Sequence, residues 1–553
     1  MFSFLKSNLS ILIIVLILFS YLGIKALNPD GWDGWGFGSA QVLMSSQHWA
    51  HDGFAKNYFL FIPYPYGKLT HYLDEPEFRN RPVETISGVL SLTRDQRLYY
   101  THYPPLFLFP YASIAKLGID ARPVYRIFSL LISLTGLLFF YLFIKSVSNK
   151  IIATIASAYY GFSVMFLNYA DSIATQPFTL FFTFLILFLS VLAGRNYENQ
   201  NVLKKYSWAI WFAYLALSLL SYDATFYIFA FIILYDLLVL KKFLWKRWLI
   251  FALAPILGFG AQVVQNTWYL GWHNMISDFS GIYANRTFRG IKNFIAGLIM
   301  PFHSMASIET VFIFKKTIVA LTSAAAIFGI LWKFRQKINL NLNYFKIIIV
   351  LAVAAVAQPF FINATGGWPY QGVLTAAFWG LLIGAASIFI NDILKKDSDI
   401  LGKWYFWVLT AIILILWSVQ FYSTLTYVRD WPNNRPDQKV LEFSKEIKNI
   451  YLGEEKMAFR IIPQNQIWRS QFATFSMEYY FGMPKIDFAN SHDLLTDFWW
   501  LRKISEYPYY SFIVADNKAG IDNLYSEIKK TLPNSVSEIK NIQSQYFFTV
   551  GPK

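Results

Sequence analysis

The stretch PPLFLFPYASIAKLG, residues 104–118, is apolar but short, with proline at 104, 105 and 110. A helix crossing about 30 Å of hydrocarbon needs about 20 apolar residues, more than this run supplies. Its reading decides the architecture, because counting it as a span inverts the sidedness of every later loop. Apolar runs long enough, or nearly so, to cross lie at 9–27, 124–144, 151–169, 178–194, 206–221, 224–240, 248–265, 311–331, 345–362, 371–391 and 404–424. The chain thus reads as an α-helical polytopic membrane protein with about eleven transmembrane helices.

Loop charge settles where 104–118 lies. Short loops rich in Lys and Arg stay in the cytoplasm. With 104–118 in the interface rather than across it, KSVSNK (145–150), RNYENQNVLKK (195–205), KKFLWKR (241–247), WKFRQK (332–337) and NDILKKDSDILGK (391–403) all fall on the N-terminal side. The opposite connections, YADSIATQP (169–177), SYDA (221–224) and NATGGWPYQG (363–372), contain no Lys or Arg. This split places the N-terminus in the cytoplasm and two long loops, 28–123 and 266–310, outside. The run 9–27 is too long for a signal-peptide core and lacks a small-residue cleavage site, so it is expected to remain as the first span.

Composition agrees. Of the 553 residues, 56% are hydrophobic and only 15% charged, far more apolar side chain than a soluble core needs. The net charge of +15 could suggest nucleic acid, but its concentration in one set of short loops assigns it to membrane topology instead. With no cysteine, disulfides and thiolate-bound metals are excluded. Residues 1–424 form the expected membrane domain. Residues 425–553 read as a small exterior α/β domain, with an amphipathic helix at 439–451, apolar runs MAFRIIP, SFIVAD and QYFFTV, and NLYSEIKKTL between the last two. In the second long loop, IKNFIAGLIMPF (291–302) is expected to be another interfacial helix.

Several polar groups at the exterior face could carry chemistry. NPDGWDGWGFGS (28–39) places Asp30 and Asp33 just beyond the first span, ahead of a helix-like stretch. Both could cap that helix, or one could serve as a general base at the interface. THYPPL (101–106) is a proline-directed helix start, and its His102 could meet a phosphate or a leaving group. Asp171, in a short loop without Lys or Arg, is either a cap or a functional carboxylate. GIYANRTFRGIK (281–292) gathers Arg286, Arg289 and Lys292, suited to anionic headgroups or to a bidentate grip on phosphate. Asp33, Asp171, His48 and His51 could ligate a divalent cation, though without diagnostic spacing. No phosphate loop, dinucleotide fingerprint or zinc-protease helix is present, and the spans hold few ionisable groups, which argues against a pump.

In order and sidedness these features resemble the GT-C membrane glycosyltransferases. The nearer branch is that of protein O-mannosyltransferases and lipid A aminoarabinose transferases. The likeness covers motif order over about the first 240 residues and architecture beyond them. It implies transfer of a sugar from a polyprenyl monophosphate carrier to a hydroxyl acceptor, lipid, glycan or protein, with inversion at the anomeric carbon. By this resemblance Asp33 would deprotonate the acceptor and Asp30 would cap the helix or contact the acceptor. Asp171 would be the second acid, orienting the site or binding acceptor or metal. His102, Arg286 and Arg289 would be the cations for the departing phosphate, with Tyr370 of GGWPYQG near it. Two departures stand out: Tyr103 replaces the lysine that the aminoarabinose enzymes carry before the motif's proline, and no Arg or Lys adjoins Tyr370. The first loop is also longer by about thirty residues, LDEPEFRNRPVE (73–84) among them. A lipid-carrier flippase and a non-catalytic envelope assembly protein are the rival readings.

Overall fold

The computed structural model describes residues 8–28, 33, 36–62, 83–85, 88–90, 101, 104–286, 317–361, 372–396, 398–430, 446, 449, 456–461, 485–488, 510–515, 518–531, 533–534, 536–542 and 545–550. The membrane part is a helical bundle. The first span is α1 (Leu9–Leu27), followed by α2 (Gly36–Asp52) in the first long loop. The 104–118 stretch forms a 3₁₀ turn, Pro105–Phe107, and α3 (Leu108–Lys116). At 1.5 Å per residue, α3 is about 14 Å long, too short to cross. It ends at Gly118, whose φ of 77° lies in the left-handed region that glycine adopts without strain.

Next come α4 (Arg122–Val147), α5 (Lys150–Gly161), α6 (Val164–Tyr169), α7 (Gln176–Arg195), α8 (Gln200–Ser218) and α9 (Tyr222–Leu234), the last continued by a π-helical turn, Tyr235–Val239. The bundle closes with α10 (Trp245–Leu270), α11 (Trp272–Arg286), α12 (Thr317–Lys333), α13 (Leu342–Phe361), α14 (Gly372–Lys396), the short α15 (Ser398–Leu401) and α16 (Trp404–Asp430).

The described parts of all eleven apolar runs fall on helices or at their ends, and among the described residues six helices, α1, α4, α7, α10, α14 and α16, are long and apolar enough to cross a membrane. The chain is a multi-pass membrane protein. One expected span, 151–169, is two helices. Gly161 ends α5, and the Ser163 hydroxyl then accepts the Phe166 N–H at 3.2 Å, capping α6 afresh.

Without a hydrophobic force between helices in lipid, close packing must come from small residues. Gly380 and Gly384 of α14 provide it against α5: a Cβ at Gly384 would lie 3.0 Å from the Ile152 carbonyl oxygen, and one at Gly380 would lie 3.2 Å from the Ala156 Cβ. Gly384→Val is expected to cost about 1–3 kcal/mol through overpacking against backbone, read as a lower thermal midpoint in detergent.

The loop residues 83–85 and 88–90 form an antiparallel pair, β1 (Val83–Thr85) with β2 (Gly88–Leu90). In the tail, β3 (Lys456–Ile461), β4 (Lys485–Phe488), β5 (Tyr510–Ala515), β6 (Lys540–Ile542) and β7 (Gln545–Val550) build one sheet in the order β4-β3-β5-β7-β6. The β4-β3-β5 part is parallel, and β7 pairs antiparallel with both β5 and β6. Helix α17 (Lys518–Thr531) buries Ile521, Leu524 and Ile528, and its Tyr525 meets the Phe548 ring edge-on at 5.3 Å. β3, β5 and β7 coincide with the three apolar runs and α17 with the NLYSEIKKTL segment, while β4 and β6 correspond to no run read from the sequence. The 439–451 and 291–302 helices lie outside the described residues, apart from Glu446 and Asn449, which are helical.

Candidate active site

The two acids singled out in sequence, Asp33 and Asp171, are brought to one place. Asp33 precedes α2 and is 2% exposed. Its Oδ2 accepts the Ser39 hydroxyl at 2.6 Å and its Oδ1 the Ser172 hydroxyl at 3.3 Å. Ser39 in turn accepts the Ile173 N–H at 3.1 Å. The carboxylate is therefore oriented by hydroxyls from its own helix and from the loop that follows Asp171.

That loop, between α6 and α7, is fixed on all sides. Asp171 is fully buried. The loop itself has no cation, but two arrive from other helices. Lys25, in the last turn of α1, places Nζ 2.7 Å from Asp171 Oδ1, and Arg126, in the second turn of α4, binds Oδ2 through Nε at 2.9 Å and through Nη2. The same lysine donates to the Leu167 carbonyl at 2.9 Å and lies 5.8 Å from the Tyr427 ring centroid. Ser133 holds the Ala170 carbonyl at 2.7 Å, Tyr111 of α3 holds that of Ala174 at 3.2 Å, and Thr175 donates to the Leu220 carbonyl at 3.0 Å. Burial works to raise the Asp171 carboxyl, but Arg126 and Lys25 outweigh it and hold it below the ordinary carboxylate range. Burial lifts the Tyr111 phenol well above its usual range, so it stays a neutral donor at physiological pH.

A second knot positions the THYPPL motif. The Thr101 carbonyl accepts Gln262 Nε2 at 2.7 Å and Asn266 Nδ2 at 3.0 Å from α10, while its hydroxyl donates to Asp278 of α11 at 2.6 Å. The residue before His102 is thus tied to two distant helices. Asn266→Leu removes one of the donors to this buried carbonyl and is expected to cost about 1 kcal/mol, measurable by thermal unfolding.

Asp30, His102, Arg289 and Tyr370 lie outside the described residues, and of Arg286 only the backbone, at the end of α11, is described. Among the described residues no group of three His, Asp or Glu side chains could hold a metal ion. Both Asp171 oxygens are taken by cations, an environment that disfavours a further positive ion. The residues that sequence reasoning missed are Lys25 and Arg126. Their signal was slight: Lys25 is the only basic residue in the last turn of one expected span, and Arg126 stands four residues after Arg122 at the start of another.

The chain matches a solved structure, ArnT from Cupriavidus metallidurans bound to undecaprenyl phosphate, over 98% of each chain, with a TM-score of 0.54 at 11% identity. The chain has the GT-C fold. The oligosaccharyltransferase AglB from Archaeoglobus fulgidus, in complex with an inhibitory peptide and a dolichol-phosphate, aligns over 93% of this chain and 70% of its own at 13% identity and a TM-score of 0.47. No family model and no curated protein matches the sequence.

Proposed function

We propose that this protein is a glycosyltransferase that moves a hexosyl or pentosyl unit from a polyprenyl-phosphate carrier to a hydroxyl acceptor at the exterior membrane face. The observation that carries the reading is Asp33, a buried carboxylate whose two oxygens already receive hydroxyl protons. Support comes from the GT-C fold, and from the ArnT neighbour having been captured with undecaprenyl phosphate. In this reading Asp33 takes the acceptor proton as the acceptor oxygen attacks the anomeric carbon from the face opposite the phosphate. The bond from that carbon to the phosphate oxygen breaks, and the polyprenyl phosphate leaves with inversion. His102, Arg286, Arg289 and Tyr370 are assigned to the departing phosphate, where donors and cations offset developing charge.

The sidedness from loop charge places Asp33, the two long loops and residues 425–553 outside, with the N-terminus in the cytoplasm. Residues 1–424 are the catalytic membrane domain, and 425–553 guide the acceptor. Removing residues 431–553 is then expected to raise the acceptor KM several-fold while kcat changes less, and an unchanged kinetic profile would refute that role.

The test of the whole reading uses the full-length protein in lipid nanodiscs with labelled polyprenyl-phosphate hexose or pentose, offering lipid, glycan and peptide hydroxyls in separate arms. The expected result is one polyprenyl phosphate released per sugar transferred, with inverted configuration in the product. In proteoliposomes, movement of intact carrier between leaflets without cleavage would overturn it in favour of a flippase.

A further inference from the structure

We infer that Lys25 and Arg126 are positioning residues for Asp33, acting through Asp171 and the loop 170–174. The inference rests on the proposed role of Asp33 as base. The chain of contacts is short and continuous. Lys25 and Arg126 grip the two oxygens of Asp171. The next residue, Ser172, gives its hydroxyl to Asp33 Oδ1, and the residue after that, Ile173, gives its N–H to Ser39, which gives its hydroxyl to Asp33 Oδ2. Each Asp33 oxygen is thus reached through the backbone of residues 171–173, and Asp171 is the point at which α1 and α4 clamp that backbone.

Charge explains why two cations are used. One cation would balance Asp171, and a second is costly to bury unless it meets another need. Arg126 reaches past Asp171 to the Asn28 carbonyl at 3.5 Å, and Lys25 reaches the Leu167 carbonyl. The pair therefore ties the end of α1, the end of α6 and the loop into one unit, from which the chain leads directly to Asp33. Removal of either cation leaves Asp171 one counter-charge, while the loop loses one of its two anchors.

The experiment compares Lys25→Met, Arg126→Gln, Ser172→Ala, the double variant Arg126→Gln/Ser172→Ala and the conservative Arg126→Lys. Asp33→Asn is included as the reference. Transfer from polyprenyl-phosphate sugar and thermal midpoints are measured on the full-length protein. Ser172→Ala deletes only the link to Asp33, and its kcat is expected to fall about tenfold with donor and acceptor KM and thermal midpoint unchanged, the loss of one hydrogen bond to a charged group. Arg126→Gln is expected to lower kcat by at least as much, Arg126→Lys to recover part of it, and the double variant to be less impaired than the product of the two singles, since both act along one path. Full activity in folded Ser172→Ala and Arg126→Gln, or losses in the double variant that simply multiply, would overturn the positioning role. A fully active Asp33→Asn would instead overturn the reading on which it rests.

Discussion

Asp33→Asn is expected to lower the rate of sugar transfer by about 10²- to 10⁴-fold, the usual worth of a positioned general base. The protein should still fold, because asparagine keeps the volume and retains an oxygen to accept one of the Ser39 and Ser172 hydroxyls. The amide nitrogen then faces a hydroxyl where an acceptor oxygen stood, and serine hydroxyls can rotate to accept from it. What is lost is the proton affinity that the proposed reading assigns to Asp33 as the base for the acceptor hydroxyl. The check is single-turnover transfer from a matched polyprenyl-phosphate sugar, alongside size-exclusion profile and thermal midpoint. A variant that folds normally and transfers at nearly the wild-type rate removes Asp33 from the chemistry.

Asp171→Asn is expected to have the largest effect on stability, about 3–5 kcal/mol, the usual cost of breaking a buried ion pair by removing one partner. It leaves Lys25 and Arg126, both within 2% of complete burial, without their shared counter-charge. The pH dependence has a definite sign. The folded-state pKa of Asp171 is depressed, so its contribution is fully present above the ordinary carboxylate pKa of about 4 and is lost as pH falls through the lower folded value. Between pH 5 and 8 the wild type should therefore hold its thermal midpoint as far as this group is concerned, while Asp171→Asn is lower throughout that range. The two should begin to converge only below about pH 4, and fully below the folded-state pKa of Asp171. Equal midpoints at pH 7 would show that the three charges contribute little to the folded state.

The helical bundle was legible because lipid imposes one strong rule: a span must be apolar for about 20 residues. That rule found the expected spans and set 104–118 apart from them, but it did not find α11, which lies in the expected second loop. It could not find the break at Phe162–Ser163, where a glycine and a capping hydroxyl interrupt an unbroken apolar run. The π-helical turn at Tyr235–Val239 was equally invisible, since hydropathy does not register hydrogen-bond period. At the site, Asp33 and Asp171 could be picked out because carboxylates are conspicuous at a membrane face. Their surroundings could not. Lys25 and Arg126 meet Asp171 across 146 and 45 residues of sequence, Ser172 meets Asp33 across 139, and no local periodicity carries pairings of that kind.

The tie at Thr101 has a consequence for the proline motif that follows it. Its carbonyl and hydroxyl are committed to Gln262, Asn266 and Asp278. α10 and α11 thus meet at Thr101, while α3, which follows the motif, meets the 170–174 loop through Tyr111 and the Ala174 carbonyl. Two separate helices therefore hold the start of the proline motif by side-chain contacts, so its position is set by tertiary ties rather than by its own short sequence.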